Sequence, residues 1–334
     1  MPNIWIHISG KEQALFFSPS VRALQEKRHN VTVSTEPEVL GDAAALSGLS
    51  FEIIGDLETP GVFAGAGLLK GFMDFAGQRE FDAVMAFPDK NIAKACKRLG
   101  LPYITIIDDE TDRAAVSAAK QADVVLVPEA VRDMDIRLPG IKEPIYYPGL
   151  LEDFYASSLS SDYLHSRLSI PKEAIVCAFS PPPFFCLVNQ REDELPRAIL
   201  NYLLGKMVVV IMLPHDKEQY DALIEADLRC LIASPAESSS AIIAGCDMFV
   251  GAGSHMRQAA ALSIPIYTYT ENDLCAIDKQ LIKSGATTLR SAFHYHKIRL
   301  EKRQTAEQRS DNTLILIKAV EAVLARGDQY KEQE

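Results

Sequence analysis

Short, almost wholly apolar runs alternate with longer segments of helical period along nearly the whole chain. In the first half, residues 3–8, 30–34, 51–55, 82–87, 102–107 and 123–128 read as strands. Helices are predicted between them over 13–27, 68–78, 91–99 and 112–122. A strand that is apolar on both faces must be covered on both faces, the condition of a parallel sheet flanked by helices. Strict alternation of strand and helix then predicts a doubly wound α/β sheet.

Between Leu138 and Glu173 the alternation breaks at Pro139, Gly140, Pro144, Pro148, Gly149 and Pro171. It then restarts, with strands predicted over 174–180, 207–213, 229–234, 247–251 and 265–270. The intervening helices span 193–204, 217–226, 238–245, 255–262 and 273–284, and a last amphipathic helix covers 313–325. A chain of 334 residues is long enough for two domains of about 150 residues each. The expected organisation is a first sheet domain over 1–148, a crossover over 149–172, a second sheet domain over 173–310 and a terminal segment over 311–334. Two such sheets in tandem predict a cleft at the carboxyl ends of their strands, where open α/β sheets bind ligands. A short echo, Ala122-Asp-Val-Val-Leu-Val-Pro against Cys246-Asp-Met-Phe-Val-Gly, runs between the halves.

Charge excludes one class of partner. Lys and Arg number 34 against 45 Asp and Glu, a net charge of -11. Nucleic-acid binding rests on neutralising phosphates, so no nucleic-acid partner is expected, although a local basic site for one phosphorylated small molecule is compatible. The longest purely apolar run, 207–213, is far short of the roughly 20 residues of a spanning helix. The apolar stretch 61–75, with Phe63, Leu68, Leu69, Phe72 and Phe75, reads as a packed helix, or alternatively as a foot for peripheral membrane contact. Six cysteines without a C-x-x-C pair read as reduced core thiols, and with no basic, cleavable start a cytoplasmic protein is expected.

The richest segment is 247–269. A predicted strand ends in Gly251-Ala252-Gly253, Ser254 is placed to cap, and an Ala-rich helix follows with Met256, Arg257 and Gln258 in its first turns. Glycines let a ligand approach the backbone, and the N–H groups of a helix start favour an anion. Arg257 is placed to add a charge-assisted contact to a phosphate. The alternative is a tight strand-to-helix turn and nothing more. The segment is neither a G-x-G-x-x-G fingerprint nor a P-loop.

The start (Ile4-Trp-Ile-His-Ile-Ser-Gly, then Phe16-Phe17) and Gly149-Leu-Leu-Glu-Asp-Phe-Tyr155 resemble the uncharacterised domain-of-unknown-function-354 family. So do Ser180-Pro-Pro-Pro-Phe184, Leu213-Pro-His-Asp-Lys-Glu-Gln219 and Val250-Gly-Ala-Gly-Ser-His-Met-Arg. That family resembles the GT-B superfamily of nucleotide-sugar glycosyltransferases and UDP-N-acetylglucosamine 2-epimerases. The resemblance implies two tandem Rossmann-like domains facing a cleft. It further implies a nucleotide diphosphate on the glycine turn at 251–257, an acceptor against first-domain loops, no bound metal or other cofactor, and a last helix returning to the first domain. The chain departs from the family pattern at His7, where an Asp is typical, and at Leu15, in a loop that usually carries Pro-Pro and His. Further departures fall at Thr111 for a His, His215 for an Arg, and Gln258 for an acid.

Transfer of a glycosyl group needs a base beside the acceptor hydroxyl and positive partners for the leaving diphosphate. Candidate bases follow first-domain strands: Glu12, then Asp108, Asp109 and Glu110, whose alternative role with Asp112 is capping a helix. His215 and Lys217 follow the strand 207–213 and are candidates to face the donor phosphates. Ser180, ahead of three prolines, and Glu271 with Asn272 after the strand 265–270 complete the candidate donor set; Asn272 is alternatively a helix cap. His294-Tyr-His296 would share a strand face, yet no acid or thiol cluster accompanies them, so no metal site is expected. The basic stretch 297–303 reads as an interaction patch or a solvated helix. The expected activity is a metal-independent glycosyltransferase using a nucleotide-sugar donor and an acceptor the residues do not name. Its alternatives are an epimerase or hydrolase of the same donor, or a non-catalytic binding protein.

Overall fold

The computed structural model describes residues 1–55, 64–141, 143–186, 194–269, 274–290, 292–303 and 312–331. The chain divides into two compact units, Met1–Tyr155 with Ser310–Glu334, and Ala156–Arg309.

The first unit contains β1 (Asn3–Ile8), α1 (Lys11–Glu26), β2 (Asn30–Thr35), α2 (Pro37–Ser47), β3 (Glu52–Ile53), α3 (Ala64–Gly77) and β4 (Ala83–Ala86). It continues with α4 (Lys90–Leu99), β5 (Tyr103–Ile106), α5 (Arg113–Ala119), β6 (Val124–Pro128), α6 (Glu129–Asp133) and β7 (Ile145–Tyr147). The seven strands are parallel, in the order β3-β2-β1-β4-β5-β6-β7. Trp5 anchors one face, packed against Phe72, Phe75 and Phe81 with its indole N–H donating to Ser34 Oγ at 2.7 Å. Phe72 and Phe75 are therefore core residues, which overturns the membrane-foot reading for them; Phe63 lies outside the described residues.

The second unit runs α7 (Tyr163–Leu168), β8 (Val176–Phe179), α8 (Glu194–Leu204), β9 (Val209–Met212), α9 (Lys217–Glu225) and β10 (Leu231–Ile232). Then come α10 (Ser239–Ala244), β11 (Met248–Val250), α11 (Ser254–Ala261), β12 (Ile266–Thr268), α12 (Ala276–Ser284) and β13 (Thr287–Thr288). Its parallel sheet has the order β10-β9-β8-β11-β12-β13. Both sheets thus reverse their winding beside their first strand, which makes two doubly wound Rossmann-like sheets of one topology. The last helix, α13 (Thr313–Lys331), packs on α1 in the first unit, where Lys27 Nζ meets Glu321 Oε1 at 2.6 Å.

The echo between the halves has a physical cause. An aspartate just ahead of a strand accepts the N–H of the first residue of the neighbouring strand. Asp123 accepts from Tyr103 at 2.8 Å and Asp247 from Val176 at 2.9 Å, and Asp82 does the same for Asn3 at 2.8 Å. The amino edges of buried strands carry donors that need such partners.

Residues 149–155 stay with the first unit, since Phe154 is buried between Phe16 and Tyr147. The stretch 297–303 is not the helix proposed as one of its readings. Lys297 ends a 3-10 turn and residues 298–303 form no helix, with Ile298 buried and Lys302 and Arg303 fastened to Asp247. His294 and His296 lie in a 3-10 turn, Ala292–Lys297, and not on a strand; their rings are nearly perpendicular. Among the described residues, no helix is long and apolar enough to cross a membrane.

Candidate functional site

Strand register assembles the site. Val250 pairs with Phe179 and Phe179 with Met212, so the residues that follow, Gly251, Ser180 and Leu213, arrive abreast at the carboxyl edge of the second sheet. This edge lies at the reversal between β8 and β11, where open α/β sheets form ligand crevices.

Gly251 has a φ of +153, and a Cβ built there would sit 2.7 Å from Ser180 Cβ and 2.9 Å from Ser180 O. Only glycine lets the two strand ends touch. The chain then turns through Gly253, at φ +68, directly into α11. Gly253 is the N-cap, so Ser254 does not cap as expected; it is the exposed first residue of the helix. The first-turn N–H groups of Ser254 and His255 lie at the positive end of the helix dipole.

Side chains from two loops and the first turn of α11 meet here. Ser180 Oγ and His255 Nδ1 are 2.9 Å apart, and the His255 ring stacks against His215 with centroids 5.7 Å apart. His215 Nε2 lies 2.8 Å from the Pro181 carbonyl. A carbonyl only accepts, so His215 carries a proton on Nε2. The triproline loop after Ser180 is held throughout. Tyr269 donates its hydroxyl to Ser180 O, and Gln219 Nε2 donates to Pro182 O at 2.6 Å and Pro183 O at 3.1 Å. Gln219 Oε1 accepts the His215 N–H at 2.9 Å, so one fully buried amide fixes both the loop and the histidine.

Other candidates have different settings. Met256 is a core residue. Gln258 is buried, with its Oε1 accepting from Ser239 Oγ at 3.0 Å. Arg257 is buried too, its guanidinium 3.9 Å from Asp278 Oδ1 and its Nη1 3.4 Å from Cys275 Sγ. Its charge is thus matched inside the unit by an acid on α12. Lys217 is the exposed first residue of α9, whose cap is Asp216. Glu271 and Asn272 lie outside the described residues, and α12 starts at Ala276 with Cys275 as its N-cap, not Asn272.

In the first unit, Glu12 is a half-buried acid in the first turn of α1. Asp108 and Glu110 are half-buried in the loop after β5. Asp109 accepts from the Thr111 N–H at 2.8 Å and Asp112 caps α5, so two of the acids do local backbone work. His7, where an Asp was expected, is buried at the end of β1 with Nδ1 3.0 Å from Ser34 Oγ and Nε2 3.7 Å from Glu36. Sequence reasoning missed Gln219 and Tyr269, whose roles depend on contacts made across 37 and 89 residues.

Residues 3–324 match the family model described as Protein of unknown function (DUF354). The chain belongs to that family. No curated protein sequence matches this DUF354 chain. Among solved structures, it is similar to Methanocaldococcus jannaschii UDP-GlcNAc 2-epimerase in complex with UDP-GlcNAc and UDP. The identity is 12% and the TM-score 0.73, over 96% of this chain and 99% of that one. A putative UDP-N-acetylglucosamine 2-epimerase from Listeria monocytogenes is similar at 13% identity and TM-score 0.72, over 100% and 97%. The Escherichia coli ADP-heptose LPS heptosyltransferase II is similar at 13% identity and TM-score 0.50, over 98% and 100%. The DUF354 chain therefore has the GT-B type of fold.

Proposed function

We propose that this DUF354 protein is a nucleotide-sugar enzyme that transfers the glycosyl group to an acceptor without a metal ion. The observation that carries the reading is the Gly251–Gly253 turn opening α11 beneath the Ser180–His255–His215 cluster. A diphosphate there would accept from the N–H groups of Ser254 and His255, and the glycines leave the backbone open to it. His255 and Lys217 supply further donors for the charge that develops on the leaving diphosphate, while His215, its Nε2 proton given to the Pro181 carbonyl, stacks on His255.

In the transfer, a first-unit carboxylate, with Glu12, Asp108 and Glu110 as candidates, takes the proton of the acceptor hydroxyl. That oxygen bonds to the anomeric carbon as the bond from this carbon to the phosphate oxygen breaks, and the nucleoside diphosphate leaves with the electron pair.

A second reading, epimerisation or hydrolysis of the same donor, is favoured by the closer fold match to the epimerases (TM-scores of 0.73 and 0.72, against 0.50 for the heptosyltransferase). Incubation with UDP-sugars, with and without a panel of acceptor sugars and lipids, separates the two. Transfer predicts release of nucleoside diphosphate that depends on acceptor. Conversion of donor at the same rate without acceptor would replace transfer with the second reading.

A further inference from the structure

A second basic site lies at the opposite edge of the second sheet. A cavity of about 820 Å³ opens at the amino ends of the strands, beside Asp247 ahead of β11, Pro265 ahead of β12 and Gly285 ahead of β13. Its wall carries the permanent cations Lys297, Arg299, Lys302 and Arg303 against two carboxylates, Asp247 and Glu301. In a chain of net charge -11, four cations around one opening is a local reversal of sign. The volume lies within the range of small-molecule sites.

The basic segment is fixed in place at both ends. Tyr267 Oη accepts the Arg299 N–H at 2.9 Å. Three and four residues on, Asp247 accepts from Lys302 Nζ at 3.0 Å and from Arg303 N at 3.0 Å. The Arg303 guanidinium donates to the carbonyls of Leu262 at 3.0 Å and Ala244 at 3.1 Å, tying the segment to the ends of α11 and α10. Lys302 and Arg303 thus answer Asp247 and build the frame. Lys297 and Arg299 are exposed on the cavity wall, held by a backbone that is already pinned. Such preorganisation lowers the ordering cost of binding an anion, and guanidinium groups favour phosphate oxygens.

We propose that this cavity binds a phosphorylated small molecule of at least two negative charges, at a site separate from the glycine turn. The site lies wholly in the second unit and stands whether or not the carboxyl edge binds a nucleotide sugar. The test is calorimetric titration of the full chain with inorganic pyrophosphate at low salt, with and without excess UDP, for the native protein, Lys297→Ala/Arg299→Ala and His255→Ala. The proposal predicts binding of one equivalent that persists under excess UDP and in His255→Ala. It also predicts that the double variant weakens this binding at least tenfold while its thermal midpoint holds. Equal binding by the double variant, no binding by the native protein, or loss only in His255→Ala would overturn it. Binding of citrate but not pyrophosphate would overturn the phosphate assignment.

Discussion

Gly251 and Ser180 touch so closely that a single methyl group on Gly251 would lie 2.7 Å from the Ser180 Cβ. That contact joins β11 to β8 at the reversal of the sheet and sets the turn from which α11 starts. Gly251→Ala combines overpacking with a backbone conformation alanine rarely adopts, at a cost on the order of 3 kcal/mol. Gly253→Ala meets nothing within 4 Å and bears only the strain of φ +68 with ψ -147, a conformation nearly confined to glycine, at a cost of about 1–3 kcal/mol and without the added clash. Urea denaturation of the two variants checks the order; equal losses would contradict it.

Gln219 tests whether the triproline loop needs its clamp. Gln219→Ala leaves the Pro182 and Pro183 carbonyls without the amide donor and is expected to cost about 2–3 kcal/mol. Gln219→Glu keeps an acceptor for His215 N but faces two carbonyls with a carboxylate, and should be worse at neutral pH. Chemical denaturation at pH 7 decides the ranking, and an unaffected glutamate variant would show that the clamp is dispensable.

Arg257 and Asp278 are both buried, so deleting either leaves the other charge without this partner. Arg257→Ala and Asp278→Ala are each expected to cost about 3–5 kcal/mol. The double replacement Arg257→Met/Asp278→Leu should recover most of that loss. A double-mutant cycle with additive losses would contradict the coupling.

Burial pushes thiols up: Cys96 to about 12 and Cys230 to about 11, from 9.0, with Cys177 and Cys246 also raised. A raised acid contributes stability below its unfolded value and loses it as pH rises. For Cys96 the window runs from about 9 to about 12, so stability should fall with pH from about pH 9 upward. These four thiols should resist iodoacetamide at pH 8 in the native protein and react once it is unfolded, as mass spectrometry of the labelled chain would show. Rapid native labelling at Cys96 would refute this.

Much of the fold was legible because the central strands of both sheets are almost wholly apolar, a pattern visible without any structure. What escaped had weak patterns. The edge strand Ile145–Tyr147 has three residues inside a proline-rich stretch, and α2 buries only Ala43 and Ser47. The charges of 297–303 alternate as on a helix, but Asp247, some 50 residues earlier, decides their path. At the site, Ser180, His215 and His255 were visible singly as residues following strands. Their meeting was not, because it depends on the parallel register of β9, β8 and β11. Arg257 carried a charge that suggested phosphate, while its partner Asp278 sits on a later helix.

The central claim is that the carboxyl edge of the second sheet holds a nucleoside diphosphate. A thermal-shift panel of UDP, GDP, CDP and dTDP with their common sugar conjugates tests it most directly, run on the native protein and His255→Ala. A ligand at about 100 times its dissociation constant stabilises by about 2.7 kcal/mol, a rise of several degrees for units of this size. The account predicts such a rise with one nucleotide family and its reduction in His255→Ala. No rise with any nucleotide, or an equal rise in the variant, would contradict it.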